Sequence, residues 1–140
     1  MDARPPVTTS LALRSTVMEM RVEATGTASR DAMWDAYADP SRWPTWAPQI
    51  RSVEPREPIR EGLEGSITGL LGVRARFRVL SVERDAGRWS WEVRTGPVRL
   101  RIDHRVDDGS ASITIEGPAP AVLAYAPVAR LALSRLVRLP

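Results

Sequence analysis

The chain has 140 residues, 43% of them apolar and 26% charged, and its formal net charge of +3 is the balance of 20 basic and 17 acidic side chains. Every basic residue is arginine; lysine, cysteine and asparagine are absent, and the single histidine is His104. These absences exclude lysine Schiff bases, thiol nucleophiles, disulfides, thiolate metal centres and multi-histidine metal sites, so no cofactor and no metal is expected.

A chain of this length can bury roughly 70% of its unfolded surface, enough for one core and an internal pocket without staples. The longest uncharged, mostly apolar stretch, residues 119–129, falls well short of the roughly 20 needed to cross a bilayer. The proline-bearing N-terminus lacks the apolar run of a signal peptide, and a cytoplasmic protein is expected. The missing lysine and asparagine match codon usage in a GC-rich, bacterial genome.

Residues 1–14, with Pro5-Pro6 and Thr8-Thr9-Ser10, read as a flexible leader before a single domain over 15–140. From Thr16, Met18, Met20, Val22 and Ala24 alternate with charged residues, the period of a half-buried strand. Ser29 is an N-cap with Asp31 in the first turn, opening a helix that carries Met33, Trp34 and Tyr37 and stops at Asp39-Pro40. Pro40 to Pro48 is too proline-rich for more than one helical turn, yet it holds Trp43 and Trp46.

Six strands follow, expected near 49–56, 65–71, 73–84, 88–95, 98–106 and 110–117. Asp85-Ala-Gly87, Thr95-Gly-Pro97 and Asp107-Asp-Gly109 type the turns between the later ones. Val73, Ala75, Phe77 and Val79 oppose Arg74, Arg76 and Arg78, and Leu80-Ser81 breaks that alternation as a bulge would. Trp89, Trp91 and Val93 oppose Arg88, Ser90, Glu92 and Arg94. Val98, Leu100, Ile102, His104 and Val106 oppose Arg99, Arg101, Asp103 and Arg105. After Gly117 a C-terminal helix is expected, with Leu131, Leu133, Leu136 and Val137 as its apolar stripe and Pro127 kinking or dividing it.

This element order resembles the polyketide cyclase/dehydrase-like branch of the START-like (SRPBCC, helix-grip) superfamily. The residues that carry the likeness are Thr27-Ala-Ser-Arg-Asp-Ala-Met-Trp34, Ala38-Asp-Pro40, Trp43-Pro-Thr-Trp46-Ala-Pro-Gln-Ile50, Val53-Glu54 and Gly62 or Gly65. It spans residues 16–138. The resemblance implies an α+β helix-grip fold: a curved seven-stranded antiparallel sheet wrapped around the long C-terminal helix over a deep apolar cavity, with two short helices after the first strand. Members include aromatase/cyclases, lipid carriers, hormone receptors and co-chaperone-like modules, so the fold does not fix a function.

His104 shares its inward face with Leu100 and Ile102, where an imidazole of ordinary pKa about 6.5 can exchange protons near neutral pH. The competing role is a core histidine satisfied by a backbone carbonyl. Trp89, Trp91 and Phe77 would form flat apolar walls for a ring-shaped ligand, or simply fill the core. Tyr37 offers a phenolic hydroxyl as donor or acid. The family architecture puts Trp43 and Trp46 at the cavity entrance; anchoring their loop to the core is the alternative and the favoured reading for Trp46, and Gln49 is a further polar candidate. Asp107 and Asp108 read as turn residues, and no pair of inward carboxylates emerges.

These residues fit a small hydrophobic ligand, polyketide-like, aromatic or lipid-like, bound in an internal cavity. One reading is a cyclase/dehydratase-type lyase or isomerase with His104 and Tyr37 relaying protons; the alternative is a noncatalytic carrier or sensor. Eight arginines fall on the outward faces of three neighbouring strands, read as the solvated back of the sheet. With the tryptophans inward, no nucleic-acid partner and no stable membrane insertion are expected. The oligomeric state is left open.

Overall fold

A computed structural model describes residues 17–140. The leader expected over 1–14 lies outside the described residues. Seven antiparallel strands form one sheet in the order β1-β7-β6-β5-β4-β3-β2. They are β1 (Val17–Thr25), β2 (Ile50–Glu54), β3 (Glu64–Gly69), β4 (Arg74–Glu83), β5 (Arg88–Thr95), β6 (Val98–Asp107) and β7 (Ser110–Pro118). Helices α1 (Arg30–Ala38) and α2 (Trp43–Trp46) connect the two edge strands, and α3 (Ala119–Leu136) packs against β1, β7 and β6.

Local chemistry sets these boundaries. The Ser29 hydroxyl accepts from Ala32 N at 3.1 Å, and Asp108 accepts from Arg30 N at 2.8 Å, so an anion sits on the first turn of α1. Asp39 stops α1 and caps the following 3₁₀ turn by accepting from Ser41 N at 3.1 Å. The strand expected over 49–56 is shorter, Ile50–Glu54, and 70–72 form a 3₁₀ turn rather than the end of β3. The bulge lies where the alternation breaks: Val79 pairs with Trp91, and Ser81 with Ser90.

Pro127 does not divide α3, which runs unbroken from Ala119 to Leu136. Its buried residues include Val122, Ala126, Ala129, Leu133 and Leu136, spaced four, three, four and three apart, so one stripe faces the sheet. Leu131 is a correction: it is 47% exposed. At 100° per residue it stands about 200° from Leu133, on the opposite side of the helix.

The C-terminal end of α3 closes the grip. Ala28 N donates to Val137 O at 2.9 Å, and a Cβ on Gly26 would lie 2.3 Å from that same oxygen, so only glycine admits this approach. The opposite end of the sheet carries the β3–β4 turn, the β5–β6 turn and the start of α3.

Candidate functional site

Two adjoining cavities lie between the sheet and α3. The inner one, about 40 Å³, is lined by Tyr37, Trp43, Trp46, Trp89, Trp91 and His104 from the short helices and the sheet, and by Tyr125, Ala129, Ala132 and Leu133 from α3. The outer one, about 270 Å³, is lined by Ile67, Leu70, Val73, Val93, Leu100 and Ile102 among others, and reaches the surface at Leu70 and Val73. Gln49, Ile50, Trp91 and Tyr125 line both. The Gln49 Nε2 donates to the Tyr125 hydroxyl at 3.2 Å, so this hydrogen bond stands where the chambers meet.

Register explains the inner wall. Trp89 and His104 are direct cross-strand partners, and their rings stack at 3.9 Å between centroids and 4° from parallel. His104 Nδ1 lies 3.1 Å from Trp89 O, and a carbonyl can only accept, so Nδ1 carries the proton and Nε2 keeps its lone pair. Tyr37 meets both rings edge-on, at 5.1 Å from His104 and 5.4 Å from Trp89. Burial pulls the His104 pKa down to about 3, opposed by its hydrogen bond to the Trp89 carbonyl. Burial first, then the neighbouring Tyr125 phenol, raises the Tyr37 pKa far above its usual range, and burial also raises that of Tyr125. Both phenols and the imidazole are therefore neutral at physiological pH.

Four buried polar atoms around the inner chamber have no protein partner: the indole nitrogens of Trp46, Trp89 and Trp91, and Gln49 Oε1. Buried polar groups are nearly always paired, because an unpaired one costs about 1–3 kcal/mol. Three such donors and one such acceptor thus belong to residues that line one small chamber. Trp43 is the satisfied member of the set, donating to Tyr37 O at 3.0 Å.

Most of the residues singled out from the sequence come together here. Trp89, Trp91, His104 and Tyr37 line the inner chamber, and Leu100 and Ile102 the outer one. Trp43 is corrected in place: it is buried in the inner wall rather than at the entrance, since α2 folds back onto β2 and Trp43 packs on Trp89 and Trp91, while Trp46 is buried in the same wall, in keeping with the anchoring role. Phe77 is a second correction. It lines neither chamber, because its strand neighbour is Gly65, which has no side chain, and the ring fills that place against Trp91 and Trp43. Tyr125 was missed, although it precedes Ala129 and Leu133 by one and two helical turns and so shares their face.

Among the described residues, no three His, Asp or Glu side chains gather as metal ligands, and no helix is long and apolar enough to cross a membrane.

Several solved structures share this architecture. Ara h 8.0201 superposes with a TM-score of 0.68 at 11% identity, covering 86% of this chain and 95% of that one. A protein from Chromobacterium violaceum gives 0.65 at 18% identity, covering 85% and 94%. A hypothetical protein from Helicobacter pylori gives 0.65 at 12% identity, covering 86% and 85%. Identities this low show the helix-grip fold alone. No curated protein matches the sequence. The model of the family described as polyketide cyclase / dehydrase and lipid transport matches residues 17–138. With that match over nearly the whole chain and the helix-grip architecture beneath it, this chain belongs to the polyketide cyclase/dehydrase and lipid transport family, on the START-like side of fold space.

Proposed function

We propose that the protein binds a small hydrophobic molecule bearing a carbonyl or hydroxyl oxygen, and releases it unchanged. The observation that carries this reading is the set of unpartnered buried donors, Trp46, Trp89 and Trp91, beside an apolar chamber that reaches the surface. The apolar body of the ligand occupies the outer chamber. Its oxygen enters the inner one, which has room for one such group and little more. Carriage rather than turnover is favoured by the ionisation state of the site. A histidine held near pKa 3 is a weak base at pH 7, and a tyrosine whose pKa is raised is a poor acid, so neither is tuned to move protons.

The second reading, a cyclase/dehydratase-type enzyme, is favoured by the neutral Nε2 of His104 and the Tyr37 ring 5.1 Å away. In that chemistry Nε2 takes a proton from the carbon beside a substrate carbonyl. The Tyr37 hydroxyl hydrogen-bonds the developing enolate oxygen, the enolate carbon bonds to a second carbonyl carbon of the same molecule as that C=O π pair moves onto its oxygen, and the resulting alkoxide takes back the proton from His104 Nε2.

Native mass spectrometry of protein purified from its own host tests the primary reading. A co-purifying species of constant mass, recovered chemically unchanged after release, supports carriage; conversion of added substrate at a rate abolished by His104→Phe supports catalysis instead.

A further inference from the structure

The outer face of the sheet changes character along its length. One row reads Glu64, Arg78, Glu92, Arg101, Glu116, each opposite the next, and ends on Glu19 of β1 opposite Glu116, so acidic and basic residues mix and the acids are in excess. The next row, toward the open end where the outer chamber reaches the surface, reads Arg76, Arg94, Arg99. Like charges directly opposite on adjacent strands destabilise a sheet. Glu92 is shared between Arg94 at 3.6 Å and Arg99 at 3.4 Å, Glu54 ends the same row beyond Ser66, and Arg76 has no ion pair among the described residues.

The same end exposes apolar side chains. The β3–β4 turn presents Leu70, Leu71 and Val73, with Leu71 97% exposed. Leu71 sits at φ 61°, a left-handed conformation that a residue with a Cβ rarely adopts. Leu123, in the first turns of α3, is also more than half exposed. A turn that holds a leucine in water, beside a row of facing arginines only partly offset by Glu92, is unfavourable for an isolated domain in two independent ways. Both costs are relieved by a surface with anionic headgroups over an apolar interior.

We propose that the open end of the sheet is a peripheral docking surface for an anionic lipid bilayer. Leu70, Leu71 and Val73 enter the interface while Arg76, Arg94 and Arg99 meet the headgroups. Leu70 and Val73 also line the outer chamber, so the docked face brings its mouth against the membrane. Nucleic acid fits less well, because the exposed leucines add nothing to phosphate contacts, and Trp43, Trp46, Trp89 and Trp91 are buried away from any stacking surface.

Vesicle co-sedimentation tests this without reference to any cavity ligand. Wild-type protein should bind vesicles of phosphatidylglycerol mixed with phosphatidylcholine and not vesicles of phosphatidylcholine alone. Arg76→Gln/Arg94→Gln/Arg99→Gln should weaken that binding by roughly a hundredfold, on the order of fivefold per charge. Because it removes like-charge repulsion, this variant should melt no lower than wild type, which separates lost docking from lost folding. Leu70→Ser/Leu71→Ser should weaken binding by roughly tenfold or more, whereas Arg88→Gln/Arg105→Gln, at the other end of the sheet, should leave it unchanged. Absence of phosphatidylglycerol-dependent binding overturns the proposal. So do binding indifferent to the leucines, equal loss in the Arg88/Arg105 variant, and leucine-independent binding to duplex DNA in place of vesicles.

Discussion

Trp89 and His104 stand opposite each other on β5 and β6, their rings 3.9 Å apart and nearly parallel, with the imidazole Nδ1 held on the Trp89 carbonyl. This pairing gives the inner chamber a rigid, flat, neutral wall. Rotation of the imidazole would break the stack and the hydrogen bond together, so the free Nε2 keeps one direction. In the proposed function a ligand oxygen bearing a hydrogen would meet an acceptor there, with the orphaned indole N–H groups as donors to its lone pairs.

Acid should reveal the burial of His104. Its native pKa of about 3 lies below the ordinary 6.5, so between those values the unfolded chain binds a proton that the folded chain refuses. Stability from this group is complete above pH 6.5 and falls as pH drops, by about 1.4 kcal/mol per unit. Urea unfolding of wild type at pH 7 and pH 5 should therefore differ by about 2 kcal/mol more than the same pair of measurements on His104→Phe. Equal pH dependence in the two proteins would show that the imidazole is accessible to protons in the native state.

Gln49 should govern selectivity between polar and apolar ligands. Replacing it with leucine leaves the Tyr125 hydroxyl without its partner and removes a polar group from the junction of the chambers. A stability loss of about 1 kcal/mol is expected. Competition binding should show wild type preferring 2-naphthol to 2-methylnaphthalene, a pair of similar shape, and Gln49→Leu losing most of that preference. Retention of the full preference would move recognition of the hydroxyl elsewhere.

Gly65→Ala should damage the edge of the sheet. Its Cβ would lie 2.2 Å from Glu54 O and 2.7 Å from the Phe77 ring, so β2 and Phe77 must both shift. Overpacking of this kind costs roughly 1–3 kcal/mol or more, and thermal melting should register it. An unchanged melting temperature would mean that β2 is free to move aside.

Pro127→Ala should stabilise the protein. Pro127 is exposed within an unbroken helix, lacks the N–H that would bond to Leu123 O, and crowds that carbonyl. Alanine restores the bond, and a gain of about 1–3 kcal/mol in chemical unfolding is expected. A loss would show that the proline sets a bend that the packing of α3 requires.

Much of the architecture is legible in the sequence because a sheet with one buried face leaves a period-two record. Arg74 to Val79, Arg88 to Arg94 and Val98 to Val106 each alternate cleanly, and the bulge shows as the one interruption, at Leu80-Ser81. The α3 stripe is harder to read because that helix is apolar on most sides, and Leu131 resembles a core residue until its angle is counted. The site divides in the same way. His104, Trp89 and Trp91 follow from strand register, which is local. The partition between chambers rests on Gln49 meeting Tyr125 across 76 residues, and the retreat of Phe77 on a missing side chain at Gly65. Contacts of that kind depend on how α3 settles on the sheet, and no periodicity records them.

In the proposed function a hydrophobic molecule lodges in the outer chamber with its oxygen in the inner one. Isothermal titration calorimetry with 2-naphthol, on wild type and on His104→Phe, tests it most directly. One-to-one binding with a negative heat-capacity change is expected for wild type, with roughly tenfold weaker binding when the Nε2 acceptor is removed. No binding, or binding of equal strength in the two proteins, would contradict the account.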